Sequence, residues 1–419
     1  MDKLLIKGGK RLVGEIEISG SKNASLPILL ATLLTDETVV LKNVPNLRDI
    51  GTTIKLLEHL GKKIEKLDDK IVIEQTENIT TDAPYDLVKQ MRASALVIGP
   101  LLARYGHVKV SLPGGCAIGA RPINIHLDGF KKLGAEINLK DGYVNLESKT
   151  KRLKGTKIVL DYPSVGATEN IVMAAALADG ITVMENIARE PEIEDLCNFL
   201  NAMGAEIKGI GSTVLIITGV KKLKGTEYSI IADRIEAGTF MIASAITCGD
   251  VLLKNIVIEH LDFIIDKMKE AGTKFEIENG DLRVFGQKEI KPVSIETLPY
   301  PGFPTDMQAQ WMMFMTQANG GSMITETVFE NRFMHVSELE RMGAELTIKG
   351  NSVFVKGNSK LSSAPVMATD LRASAALVLA ALITDGETEI SRIYHLDRGY
   401  DNIEKKLNKI GADVRRVKE

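Results

Sequence analysis

The 419-residue sequence predicts an α/β fold made of six copies of one unit. Three observations carry that prediction. Glycines end an amphipathic helix at Gly61, Gly134, Gly204, Gly272, Gly343 and Gly411, 68–73 residues apart, an interval that marks repeat architectures. Around each stands the same order of elements: an Ala-rich helix, a Gly or Asp-Gly turn, a β-branched strand, a second amphipathic helix, the glycine, and another strand. The chain also exceeds the roughly 250–300 residues at which one hydrophobic core stops growing, so two or more domains are expected.

Each element follows from local chemistry. In Leu133-Gly134-Ala135-Glu136-Ile137 and Met203-Gly204-Ala205-Glu206-Ile207 the glycine reads as a left-handed helix cap, and the alternation after it as a strand. The segment from Ile171 to Ala178 is apolar all round, as a helix buried on every side must be. The apolar stretches 93–103 and 373–383 read the same way; both are shorter than the roughly 20 residues a membrane span needs, so no membrane insertion is expected. Six such units can stack as one solenoid or form two globules of three, and size favours two globules. The N-terminal strand, Leu4 to Ser19, stands outside the repeat and is expected to pair with the C-terminal half.

Composition narrows the function. With 44% hydrophobic and 26% charged residues the chain is an ordinary globular one. A formal net charge of −3 excludes a broad cationic surface for nucleic acid. Cys116, Cys197 and Cys248 are widely spaced and odd in number, which suits free thiols in a reducing compartment. The charged N-terminus lacks the apolar core of a secretory signal, so a cytoplasmic protein is expected. No HExxH, EF-hand or P-loop pattern occurs, so neither metal nor cofactor is expected.

The segment Ser111-Leu-Pro-Gly-Gly-Cys116-Ala-Ile-Gly119-Ala-Arg121-Pro122 departs from both periods and reads as a glycine-bearing lid. Arg121, five residues after Cys116, would lower the pKa of the thiol and raise its reactivity. Cys197, within an amphipathic helix, and Cys248, at a helix end, read as packing residues. In Ser19-Gly20-Ser21-Lys22-Asn23 a turn carries a lysine to a helix start, where an ammonium and backbone N–H groups suit a phosphate. Arg92 and Arg372 open apolar helices at matching points of the repeat, and Arg332 and Arg398 occupy analogous turns after a strand. Guanidinium forks match carboxylate and phosphate, so together these cations imply a small polyanion. In Phe303-Pro304-Thr305-Asp306 a carboxylate stands at a helix start, where it either caps the helix or accepts a substrate proton.

Together, Gly-Ser-Lys22-Asn23-Ala, Pro-Gly-Gly-Cys116-Ala-Ile-Gly-Ala-Arg121-Pro, Phe-Pro-Thr-Asp306-Met-Gln, Glu-Asn-Arg332-Phe-Met-His and Ala-Thr-Asp370-Leu-Arg372-Ala-Ser resemble the enolpyruvyl transferases that act on UDP-N-acetylglucosamine. The resemblance runs the length of the chain. It implies a two-domain inside-out α/β barrel of six βαβαββ units, three per domain. Residues 1–20 with 231–419 would form one domain and 21–230 the other, the chain crossing near Ser21 and returning near residue 230. The implied substrates are phosphoenolpyruvate and UDP-N-acetylglucosamine, in the first committed step of peptidoglycan precursor synthesis, with a monomer or weak oligomer as the working form. Cys116 is implied as proton donor to C3 of phosphoenolpyruvate and target of the epoxide fosfomycin, and Asp306 as the base for the sugar 3′-hydroxyl. Lys22, Arg92, Arg121 and Arg398, supported by Arg332, Asp370 and Arg372, would surround phosphoenolpyruvate. Asn23, Arg121, Pro122, Ile123, Asn124, Ile125, Ser164, Val165, Asp306 and Val328 would meet the UDP-sugar.

Arg48, Asn124 and Tyr162 depart from the residues frequent in that family, which leaves the nucleotide contacts around Tyr162 open. Two rivals remain at this point: 5-enolpyruvylshikimate-3-phosphate synthase, which shares the architecture but not the Cys116 loop, and a non-catalytic repeat scaffold.

Overall fold

The computed structural model describes residues 2–89, 91–111, 123–150, 152–329 and 331–418, without the side chain of Arg92. Among these residues the strands form six four-stranded sheets. The sheet of Asp82–Ala83, His107–Ser111, Tyr143–Ser148 and Ala135–Lys140 shows the common rule: its first two strands are parallel and the remaining neighbours antiparallel. Parallel strands need a crossover, and the helical segment between Ala83 and His107 provides it. Along the chain this gives the expected order strand, helix, strand, helix, strand, strand.

The chain divides into two compact units rather than one solenoid. Of the described residues, those up to Ser19 and from Ala232 onward form one, and those from Gly20 to Ile231 the other. Each unit holds three sheets around its own apolar core. The first helices of the repeats sit at the centre, and not all are Ala-rich: Gln308–Thr316 and Ile98–Tyr105 hold one alanine each. Every residue of Gln308–Thr316 is buried, as are residues 372–382 of Leu371–Ile383, and the two helices pack on each other. In the other unit Ile98–Tyr105 packs on Val165–Ala175. In each pair the small residues of one helix, Leu371–Ile383 or Val165–Ala175, leave room for the larger side chains of the other, and the sheets wrap outside. The segment 93–103 is not one α-helix, since it opens as the 3₁₀ helix Arg92–Val97.

The six repeat glycines all lie at φ of 95–104°, so each serves as the left-handed cap its sequence context predicts. The N-terminal segment corrects the reading of 4–19 as one strand. Asp2–Lys7 lies between Glu387–Ser391 and Asp413–Lys418, antiparallel to both, whereas Val13–Glu17 runs parallel to Asp250–Lys254 in another sheet. Glu227–Ser229 likewise pairs with Val39–Lys42, across most of its own unit. Three sheets thus take a strand from a distant stretch of chain, which a search for contiguous copies misses.

One packing detail yields a stability prediction. Lys62 stands where the other repeats have Ala135, Ala205, Thr273, Ala344 and Ala412. It is 3% exposed and donates to the Thr35 carbonyl at 2.7 Å, a carbonyl that Arg104 Nη1 also reaches at 2.8 Å. Burial, with Arg104 adding to it, lowers the Lys62 pKa to about 7. The unfolded chain therefore binds more protons between about pH 7 and 10.4, and the cost of Lys62 is largest at and below neutrality. Lys62→Met, which leaves Arg104 on the Thr35 carbonyl, is expected to raise stability by about 1–3 kcal/mol at pH 7. Urea unfolding at pH 7 and 9.5 checks this; the gain should shrink at the higher pH.

Among the described residues no helix is long and apolar enough to cross a membrane.

Candidate active site

The first helix of each repeat begins in one of two ways. Ser21, Ser164, Asp233 and Asp370 are side-chain N-caps, accepting from backbone N–H groups of the turn they open. The remaining two start as 3₁₀ turns without a side-chain cap, Arg92–Val97 and Thr305–Met307. The second carries Asp306, whose carboxylate serves as an ion-pair partner instead of a cap.

Asp306 Oδ1 accepts from Arg332 Nη2 and Oδ2 from Arg372 Nη2, both at 2.7 Å. The two guanidiniums are nearly buried, with side chains 7% and 5% exposed against 23% for Asp306. Burial alone would raise the carboxyl pKa, but the charges and hydrogen bonds of Arg372 and Arg332 outweigh it and hold Asp306 well below the usual range. Desolvation disfavours the charge on Arg372, but Asp306, Tyr400 and Asp233 together outweigh it and raise the pKa. Burial pushes His335 down to about 4, against Asp370 and with Arg332, so its imidazole is neutral at pH 7. Asp370 caps Leu371–Ile383 and thereby orients the turn that bears Arg372. Arg398 lies half-buried in the same unit, at the end of the 3₁₀ turn Leu396–Arg398.

Around this clamp runs a network that sequence reasoning missed. Arg332 Nη1 donates to Thr305 Oγ1 at 2.7 Å, and that hydroxyl donates to Glu326 Oε2 at 2.8 Å. The other oxygen, Oε1, accepts from the Thr297 hydroxyl and from the N–H groups of Val328 and Phe329.

In the second unit Lys22 is the first residue of Lys22–Ala31, followed by half-buried Asn23. Its Nζ lies 3.2 Å from Asp49 Oδ2, and the two side chains are 12% and 5% exposed. Ile123, Asn124 and Ile125 stand at the start of Asn124–Lys132, and Ser164 and Val165 at the start of Val165–Ala175. These helices pack together, and Asn170 bonds His126 at 3.1 Å. Cys116, Arg121, Pro122 and the Arg92 side chain lie outside the described residues. Cys197 is buried, with burial and then Glu194 pushing its thiol up to about 12, the state of an inert packing residue. No group of three or more His, Cys, Asp or Glu among the described residues could hold a metal ion.

The sequence profile described as EPSP synthase (3-phosphoshikimate 1-carboxyvinyltransferase) matches residues 6–407. The UDP-N-acetylglucosamine 1-carboxyvinyltransferase of Geobacter metallireducens is 58% identical over 419 residues, 100% of both chains. UDP-N-acetylglucosamine 1-carboxyvinyltransferase 1 of Caldanaerobacter subterraneus is 56% identical over 414 residues, 99% of each. Two solved structures share the fold: the enolpyruvyl transferase NikO from Streptomyces tendae, with TM-score 0.89, 24% identity and coverage of 99% and 98%, and EPSP synthase from Acinetobacter baumannii, with TM-score 0.80, 20% identity and full coverage of both chains. Matched from end to end by such relatives, and folded as they are, the chain belongs to the enolpyruvyl transferase family.

Proposed function

We propose that this chain transfers the enolpyruvyl group of phosphoenolpyruvate to the 3′-hydroxyl of UDP-N-acetylglucosamine, releasing phosphate. The observation that carries the reading is the 58% identity, over the full length, to an enzyme named for that acceptor. EPSP synthase, by contrast, shares the fold at 20% identity. In the addition step the sugar oxygen bonds to C2 of phosphoenolpyruvate, its proton passes to Asp306, and the C2–C3 π pair takes a proton from the Cys116 thiol. In the elimination step C3 loses a proton, the double bond re-forms, and the C2–O bond to phosphate breaks. Lys22, Arg92, Arg121 and Arg398, with Arg332, Asp370 and Arg372 in support, attend the phosphate and carboxylate. Fixed guanidiniums need no reorganisation as charge shifts, which supports such chemistry without a metal.

Asn23, Arg121, Pro122, Ile123, Asn124, Ile125, Ser164, Val165 and Val328 are assigned to the UDP-sugar, and residues 21–230 to the domain that carries most of these contacts. The base and the C-terminal arginines belong to 1–20 with 231–419. The working form is a cytoplasmic monomer or weak oligomer, which sedimentation at micromolar concentration tests.

Supplying phosphoenolpyruvate with either UDP-N-acetylglucosamine or shikimate 3-phosphate and measuring released phosphate tests the acceptor. Phosphate release is expected with the UDP-sugar alone; turnover with shikimate 3-phosphate alone overturns the assignment.

A further inference from the structure

In three of the repeats the turn after the second strand follows one pattern, from which the fifth repeat departs at Glu326. Asn43, Asn186 and Asn255 adopt left-handed backbone conformations there, at φ of 54–55°. Each donates its amide to the carbonyl just past the neighbouring parallel strand, at Ile230, Leu160 and Ile18. The fifth repeat has Glu326 in that place, directly after the strand Ser322–Thr325. The corresponding carbonyl, of Thr297, accepts instead from the Thr327 hydroxyl. Thr327 therefore takes over the structural bond, and a carboxylate that is 3% exposed is left to do something else.

We infer that Glu326 is a positioning residue for the reaction: by accepting the Thr305 hydroxyl proton it turns an oxygen lone pair toward Arg332 and so holds that guanidinium on Asp306. The inference rests on Asp306 being the base. Among the described residues, the hydrogen-bond partners of the Glu326 carboxyl are all donors, namely the hydroxyls of Thr297 and Thr305 and the N–H groups of Val328 and Phe329. An ionised carboxylate is acceptor-only and suits all of them. Because its oxygen fixes the direction of the Thr305 O–H, the Thr305 lone pair is left for Arg332 Nη1, whose neighbour Nη2 lies on Asp306. A glutamine at 326 has one amide donor. With its oxygen kept on the two backbone N–H groups, its NH₂ meets Thr305, the hydroxyl must turn away, and its proton then confronts the arginine.

Glu326→Gln and Thr305→Val should each lower kcat by on the order of tenfold or more, since misplacement of a site group by about 1 Å can cost on the order of 100-fold. KM for the UDP-sugar should stay within about twofold of wild type, as expected when only transition-state interactions are lost. The double variant should be no slower than the slower single variant, because both act through one hydroxyl. Thr305→Ser, which keeps that hydroxyl, should retain the wild-type rate; a purely packing role for Thr305 would not separate serine from valine in this way. Wild-type kcat in Thr305→Val, or losses that multiply in the double variant, overturns the inference. Asp306→Asn run alongside separates the two failures: if it is inactive and Thr305→Val is not, only the positioning role falls, whereas full activity in Asp306→Asn removes the base and the positioning role together.

Discussion

Asp306→Asn is expected to lower kcat by on the order of 10²–10⁴-fold, the usual worth of a positioned general base, while UDP-N-acetylglucosamine binding stays measurable by calorimetry. Asparagine keeps the volume and one acceptor, but it can neither take the hydroxyl proton nor balance two guanidiniums. The same change should destabilise the fold. Arg332 and Arg372 are nearly buried, and breaking a buried charge pair costs about 3–5 kcal/mol because it leaves charge uncompensated. The sign of the pH dependence follows from the depressed pKa of Asp306. Its contribution is fully present above the unfolded value of about 3.9 and is lost as pH falls through the lower folded value. Denaturant unfolding of wild type and variant should thus differ most near neutrality and converge in strong acid. A variant with normal kcat would mean that another group receives the proton.

Much of the fold was legible because its signals are local. A glycine cap needs only the chain within two turns of it, so six of them at an even spacing announce the repeat before any tertiary contact is known. That the N-terminal stretch pairs with the C-terminal half was legible, because it is left over from the repeat, but its split between two sheets and the pairing of Glu227–Ser229 with Val39–Lys42 were not, since those registers depend on contacts far apart in the sequence. In the site, charged residues at helix starts and turns pointed to Asp306, Arg332 and Arg372, but nothing local says that the two arginines meet the one carboxylate. Glu326 and Asp49 were passed over because a lone acid after a strand or in the first turn of a helix is usually solvated. A signal for Glu326 was nevertheless there. Aligning the six units puts it in register with Asn43, Asn186 and Asn255, and a departure from a repeated structural residue deserves a functional question. For Arg392, which occupies the same place in the sixth unit at φ 56°, nothing in the structure explains the arginine.

The Cys116→Ser variant should lose turnover by a comparable factor and also resist fosfomycin, and the two losses have one cause. A thiol near its ordinary pKa of about 8.5 can deliver a proton to carbon and, once ionised, can open an epoxide. A serine hydroxyl does neither at neutral pH, although it differs by a single atom and fills nearly the same space. Packing therefore cannot account for a large effect. Because the donor must be protonated, activity should fall as pH rises through the pKa of the thiol, a limb that Arg121 would move downward by favouring thiolate. Alkylation should rise through the same pKa, since the thiolate is the attacking form. Measured on wild type, the two profiles should be mirror images about one midpoint, and both should vanish in the serine variant. Persistence of the alkaline limb in Cys116→Ser would assign the proton to another group. Inactivation of that variant by fosfomycin at the wild-type rate would place the reactive nucleophile elsewhere.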